Sequence, residues 1–253
     1  MGAPLTETCR EERISKRGAP DQAVIVEFLG LPGAGKSTIA APLVAELRAK
    51  GIDVRTTVDL VTWLAARSRL EKVGILARSL PGALVQLWWG LVFAGSLRHS
   101  ENFPIVRVLL IPFLNCSLDR YLQLYEPHVM IMDQANMQLV WSVGAYATSY
   151  KAAALERLCS AACGRVPRVY AFIVACPDVA TKRIRQRPSN ASRFDKESES
   201  TLRSALNTST PLMDNIVQCL IRSKKQVIAI DATASTESNS KSLCSLVCEL
   251  LNL

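Results

Sequence analysis

Val24-Ile25-Val26-Glu27-Phe28-Leu29-Gly30-Leu31-Pro32-Gly33-Ala34-Gly35-Lys36-Ser37-Thr38 is the stretch on which the reading of this chain turns. Five β-branched or apolar residues and Glu27 run straight into Gly30, the pattern of a buried strand that ends in a turn. From Lys36 onward, Ile39, Leu43 and Leu47 stack with Ala40 and Val44 on one helical face. Arg48 and Lys50 suit the negative end of that helix, and Gly51 suits a left-handed cap. Pro42 removes one internal hydrogen bond and predicts a kink. Strand, glycine turn and helix together give G-x-x-x-x-G-K-[ST] the flanks it needs to bind phosphate. Glycines let successive amides curl inward, so that Gly30, Leu31, Pro32, Gly33, Ala34 and Gly35 wrap an anion at the helix N-terminus. Lys36 adds a positive charge, and the Ser37 hydroxyl, followed by Thr38, can ligate a Mg²⁺ that accompanies a nucleoside triphosphate.

Outward from that stretch, strands and helices alternate. Second to fifth strands are predicted at 52–58 (IDVRTTV), 129–133 (VMIMD), 169–175 (VYAFIVA) and 226–231 (QVIAID). The residues between 59 and 128 read as helical, broken at Pro81, Pro104 and Pro112, and 135–163 reads as one long helical stretch. Pro177-Asp178 starts a helix over 179–187 that stops at Pro188, 232–242 reads as a Ser/Thr-rich loop, and 242–251 as a short terminal helix. Strands that are apolar nearly throughout and alternate with helices imply a parallel sheet covered on both faces. Function in such sheets gathers at the carboxyl ends of the strands, where 30–37, Asp133 and the turns after Cys176 and Asp231 would line one edge.

Two further features bear on chemistry. Asp133 ends a strand beside the first, where a carboxylate can hold Mg²⁺ through water or take a proton from an acceptor; its structural alternative is a helix cap. Between Lys182 and Arg203, seven cations face three acids, so half of the chain's net charge of +8 sits in one short segment. Arg183, Arg187 and Arg193 belong to it, and Pro188 to Ser192 interrupts it. That shape suits a lid over 183–203 that closes cations onto phosphates, the alternative being a solvated helix face. Glu27, inside the first strand, needs a buried partner.

With 253 residues, 49% of them hydrophobic and 21% charged, the chain suits one large globular domain over 23–253 behind a disordered charged tail, 1–22. Collagen-like, coiled-coil and wholly disordered classes are excluded. The positive balance suits an anionic partner. Eight scattered cysteines in a chain of this size fit a reducing, cytoplasmic setting with buried thiols. Cys159/Cys163 and Cys244/Cys248 would each share a helix face without the spacing of a zinc site. Charges among the first twenty residues leave no apolar signal segment, while Met1-Gly2-Ala3-Pro4-Leu5-Thr6 fits the loose myristoylation pattern. Ser79 to Leu97 carries no charge and is just long enough to span a bilayer, but Pro81, Gly82, Gln86, Gly90 and Gly95 favour a buried or surface-docking helix. Trp88 and Trp89 then read as core and groove lining, or as an interfacial face.

The segments EFLGLPGAGKST, MIMDQ, CPDVATKRIRQRPSNASRFD and VIAIDATAS, in this order, resemble the P-loop nucleoside monophosphate kinase group, most closely its thymidylate kinase-like branch. The resemblance covers about a quarter of the chain. It implies an α/β, three-layer P-loop NTPase fold with a five-stranded parallel sheet and a helical insertion at 59–128 on the acceptor side. It also implies a Walker A loop for ATP, with Arg183 and Arg187 on adenine and phosphates, Arg193 from the lid, and Ala232 and Thr233 near the base. Catalysis would fall to Lys36, Asp133, Arg187 and Arg193, with magnesium on Ser37 and Asp133. The chain departs from the branch at Gln134, where thymidylate kinases carry an arginine for the acceptor phosphate. The apolar stretch around Trp88 lies where acceptor helices are built, which suits a less charged acceptor than a nucleotide.

The expected activity is that of a transferase moving the γ-phosphoryl of Mg·ATP to a small molecule, a nucleotide among the candidates, with no nucleic acid as partner and a homodimer compatible with the class. The alternatives are a slowly hydrolysing nucleotide switch, for which an N-K-x-D guanine motif is missing, and a membrane-associated P-loop protein held through Ser79 to Leu97.

Overall fold

The computed structural model describes residues 23–98, 105–164, 166–187 and 193–252. The tail 1–22 with its myristoylation pattern, Pro104 and the Pro188 to Ser192 interruption lie outside the described residues. Among those described, five parallel strands form one sheet: β1 (Val24–Leu29), β2 (Val54–Thr56), β3 (Val129–Met132), β4 (Arg168–Val174) and β5 (Gln226–Asp231). Their order across the sheet is β2-β3-β1-β4-β5, so β1, which leads into the glycine loop, is central. Register sets Val26 beside Ile131 on one side and Val169 on the other.

Alternation along β1 divides the core. Val26 and Phe28 face α1 (Lys36–Ala49) and α10 (Thr236–Leu250), against Ile39, Leu43, Leu47, Leu243 and Val247. Ile25 and Leu29 face the opposite helices. These are α2 (Thr57–Ala65), α3 (Arg69–Arg78), α4 (Leu80–Gly95), α5 (Ile105–Tyr125), α6 (Asn136–Gly144), α7 (Ala152–Ala162) and α9 (Glu199–Arg222). The short α8 (Pro177–Arg185) follows β4 and leads to a 3₁₀ turn, Arg193–Lys196. Burial of every residue of β1 and β3, with helices on both sides, is what a parallel sheet of this composition requires.

Four expectations are corrected. The second strand stops at Thr56 rather than 58, because Thr56 and Asp59 form a reciprocal capping box that starts α2. The break expected at Pro112 is absent: Pro112 lies inside α5 and is buried. The single helix expected over 135–163 is two, α6 and α7. The chain between them leaves to pair Ser149 with Arg98, and the Lys151 amide donates to Ser96 Oγ. The Ser/Thr-rich loop shrinks to 232–235, since Ser235 accepts a hydrogen bond from the Ser238 amide and caps α10 at Thr236. Pro42 does sit within α1, which continues through it to Ala49, with Gly51 in the left-handed region at φ 78°.

Candidate functional site

The glycine loop stands at the carboxyl end of the central strand. Gly30, Gly33 and Gly35 have φ of 143°, 83° and 105°, conformations that side chains rarely adopt. Gly33 is doubly constrained, because a Cβ there would run into the carbonyl of Ala180 on α8. The loop is thereby clamped between β1 and α8, with Leu31, Gly33 and Ala34 buried and Pro32 half-buried. Gly35 ends it as the left-handed N-cap of α1 and supplies no side chain for the first-turn amides. Those amides have no carbonyl partner inside the helix and, with the helix dipole, they favour an anion.

Lys36 folds back over the loop. Its Nζ donates to the carbonyls of Gly30 at 2.8 Å and Leu31 at 3.0 Å. Burial, and secondarily the charge of Arg187, push its pKa down from the usual 10.5 to about 7, with Asp133 opposing. Arg187 and Asp133 therefore both act on Lys36. Ser37 and Thr38 are exposed on the first turn. Ser37 Oγ donates to Asp133 Oδ2 at 3.0 Å, and the Asp133 amide in turn donates to Thr57 Oγ1 at 3.2 Å at the start of α2. A hydroxyl and a carboxylate this close are hard oxygen donors and fit Mg²⁺, which takes one or two protein oxygens and completes its shell with phosphate and water. Among the described residues no group of three or more His, Cys, Asp or Glu could hold a metal, and the described cysteines are free thiols.

On the other flank, Arg183 of α8 spans two loops. Nη1 donates to the Ala34 carbonyl and Nη2 to the Ala232 carbonyl, both at 2.9 Å. The glycine loop is thus fastened to the turn after β5. In that turn the amide and hydroxyl of Thr233 both donate to Asp231 Oδ1, which holds the Asp231 carboxyl below its usual range. Five residues singled out from sequence, Lys36, Ser37, Asp133, Arg183 and Ala232, are therefore joined by hydrogen bonds or electrostatics into one edge, with Thr233 beside them. Arg187 is exposed and next to Lys36 electrostatically. Arg193 begins the 3₁₀ turn, and its side chain lies outside the described residues. Arg185 donates to the Glu197 carbonyl, tying α8 to the far side of the interruption.

A buried polar relay supports the edge, and only its first member was legible in the sequence. Glu27 is fully buried; its Oε1 accepts the Met137 amide at 2.7 Å and its Oε2 accepts Arg168 Nη1 at 2.9 Å. The carboxylate so caps α6, which has no side-chain cap of its own, and α6 begins three residues after Asp133. Burial pushes the Glu27 carboxyl up, while Arg168 and the Met137 amide pull it back. Arg168 Nη2 continues to Asn115 Oδ1 at 3.0 Å, which also accepts Asn136 Nδ2. Asn115 Nδ2 reaches Gln86 Oε1 at 2.9 Å. Thr57 was missed as well; no local signal marks a threonine whose partner lies on another strand's end.

No family model matches the chain, and no curated protein sequence matches it significantly.

Proposed function

We propose that this chain is a kinase of P-loop fold that transfers the γ-phosphoryl of Mg·ATP to a small acceptor, in the manner of the nucleotide kinases. The observation that carries the reading is the 3.0 Å hydrogen bond from Ser37 to Asp133 at the mouth of a left-handed glycine loop on the central strand. A hydroxyl on the first turn and a carboxylate on the next strand end form the oxygen pair that a metal-bound triphosphate needs. Ser37 and Asp133 would hold Mg²⁺, which would supply charge neutralisation at the triphosphate. The amides of Gly33 to Ser37 cradle the β-phosphate, and Lys36 leaves its two carbonyls to meet the β/γ oxygens. The acceptor oxygen bonds to the γ-phosphorus as the bond to the β–γ bridging oxygen breaks, and ADP leaves. Arg187, with Arg193 from the lid, supplies cations around the transferring group.

Within this reading Arg183 is a positioning residue. Its guanidinium holds the phosphate loop at Ala34 to the base-side turn at Ala232, fixing the distance between the two ends of the nucleotide site. Asp133 holds the metal through water or accepts the acceptor's proton. Gln134, in place of a cation, supports an acceptor with little negative charge at its reacting end.

Titration calorimetry with Mg·ATP, followed by ADP release with nucleotides, nucleosides, sugars and lipid alcohols, tests the proposal. Binding and acceptor-accelerated release, both lost in Lys36→Ala, are the expected result. Absence of heat with any purine triphosphate overturns it, and release that no acceptor accelerates replaces it with a slowly hydrolysing switch.

A further inference from the structure

Helix α4 is built inside out. Its one strongly polar side chain, Gln86, is buried and bonded to Asn115, while Leu80, Leu84, Trp88 and Leu91 form an exposed stripe at helical spacing, Trp88 at 63%. Helix α5 repeats the arrangement: Asn115 and Ser117 face inward, and Val106, 67% exposed, and Leu109 face out. The two helices pack closely, since a Cβ on Gly90 would meet Val108 Cγ1 at 2.7 Å, so the two apolar faces adjoin. No described residue covers them, and adjoining exposed apolar side chains mark a docking face.

Charge selects the occupant. Between Glu71 and Asp119 the sequence carries Lys72, Arg78, Arg98 and Arg107 against one acid, Glu101, and exposed Arg78 and Arg98 flank α4 at its two ends. We propose that the α4–α5 face docks on an anionic lipid bilayer, its helices lying in the plane of the interface with Trp88 among the headgroups and Arg78 and Arg98 on lipid phosphates. An apolar face with a cationic border is what such docking requires. A second copy fits less well, because it would set the same cationic border against itself. The same contacts argue against a span: no single described helix is long and apolar enough to cross a membrane, α3 and α4, which reach that length and composition only together, are bent by 91°, and the inner side of α4 is fixed to α5 through Gln86 and Gly90. The proposal is independent of nucleotide binding.

The test floats the full chain with phosphatidylcholine vesicles, with and without about one third phosphatidylglycerol. Wild type should bind the anionic vesicles at least ~10-fold more tightly, releasing as salt rises. Leu84→Gln/Trp88→Glu should lose at least ~10-fold of that affinity with an unchanged circular dichroism spectrum, and Arg78→Gln/Arg98→Gln should lose the anionic preference alone. A folded wild type that floats with neither vesicle overturns the proposal, as does equal flotation of wild type and Leu84→Gln/Trp88→Glu. Self-association that Trp88→Glu abolishes, without vesicle binding, overturns it in favour of a second copy.

Discussion

Glu27 and Arg168 form an ion pair at 2.9 Å with their side chains 0% and 1% exposed, in the middle of the sheet and within one bond of the helix that follows Asp133. Two charges taken wholly from water recover their hydration only through each other and through the surrounding bonds. Arg168→Met leaves a buried carboxylate with the Met137 amide alone, and it should cost roughly 3–5 kcal/mol in urea denaturation. Glu27→Gln should cost less, since its amide oxygen still caps α6. The double variant Glu27→Gln/Arg168→Met should be less destabilised than the single costs added together. Additive losses in that cycle would show that the two side chains act separately.

On the proposed reading, Lys36 should make ATP affinity pH-dependent. Its pKa near 7 in the free protein, against 10.5 in an unfolded chain, means that between these values the unfolded chain holds a proton that the folded one has shed. Stability contributed by this site therefore rises with pH from about 7 to about 10.5, and below pH 7 the cost of the buried charge is present in full. A bound triphosphate reverses the shift, because its charge favours the ammonium. Calorimetry at pH 8 in buffers of different ionisation enthalpy should show proton uptake approaching one per nucleotide, and affinity should fall ~10-fold per pH unit above 7. Arg187→Gln removes a repelling cation and should move that midpoint upward.

Much of this edge was legible in the chain because its signals are local. VIVEFL followed by a glycine loop and an amphipathic run fixes strand, turn and helix with no distant contact, and QVIAID stands at 226–231 as read. Two of the misreadings fell where a cap outweighed the local pattern: Thr56 with Asp59 turned the end of IDVRTTV into a helix, and Ser235 did the same for a loop. What the sequence hid is long-range. Arg168, Asn115 and Thr57 look ordinary in place, and each acquires its role only when the sheet brings a partner from 53 to 141 residues away. The apolar run near Trp88 was visible, but which side faced outward depended on Gln86 finding Asn115.

A change at Asp133 should separate the proposed metal binding from folding. Asp133→Asn keeps the size of the side chain and an oxygen to accept the Ser37 hydroxyl, so the melting temperature should stay within a few degrees of wild type. On the proposed reading, loss of the negative charge would remove the metal's anionic ligand and any proton acceptance. Turnover with Mg·ATP should fall at least ~100-fold, while affinity for ATP in the presence of a chelator should be unchanged or slightly higher. Equal turnover in wild type and Asp133→Asn would place this carboxylate among structural caps.

Among the described residues, Arg183 is the one side chain that bonds to both the glycine loop and the turn after β5, and it does so with two nitrogens of one planar group. A lysine can reach one carbonyl or the other but cannot hold both at 2.9 Å in one geometry. Arg183→Lys should therefore loosen the spacing between Ala34 and Ala232 without removing charge. ATP affinity should fall roughly 10-fold, since two loops must then be ordered on binding, while affinity for inorganic triphosphate, which spans only the glycine loop, should fall much less. Arg183→Met should add the loss of a cation and weaken both ligands. If Arg183→Lys weakens ATP and triphosphate equally, the guanidinium touches phosphate directly and its bridging of the two loops is incidental to binding.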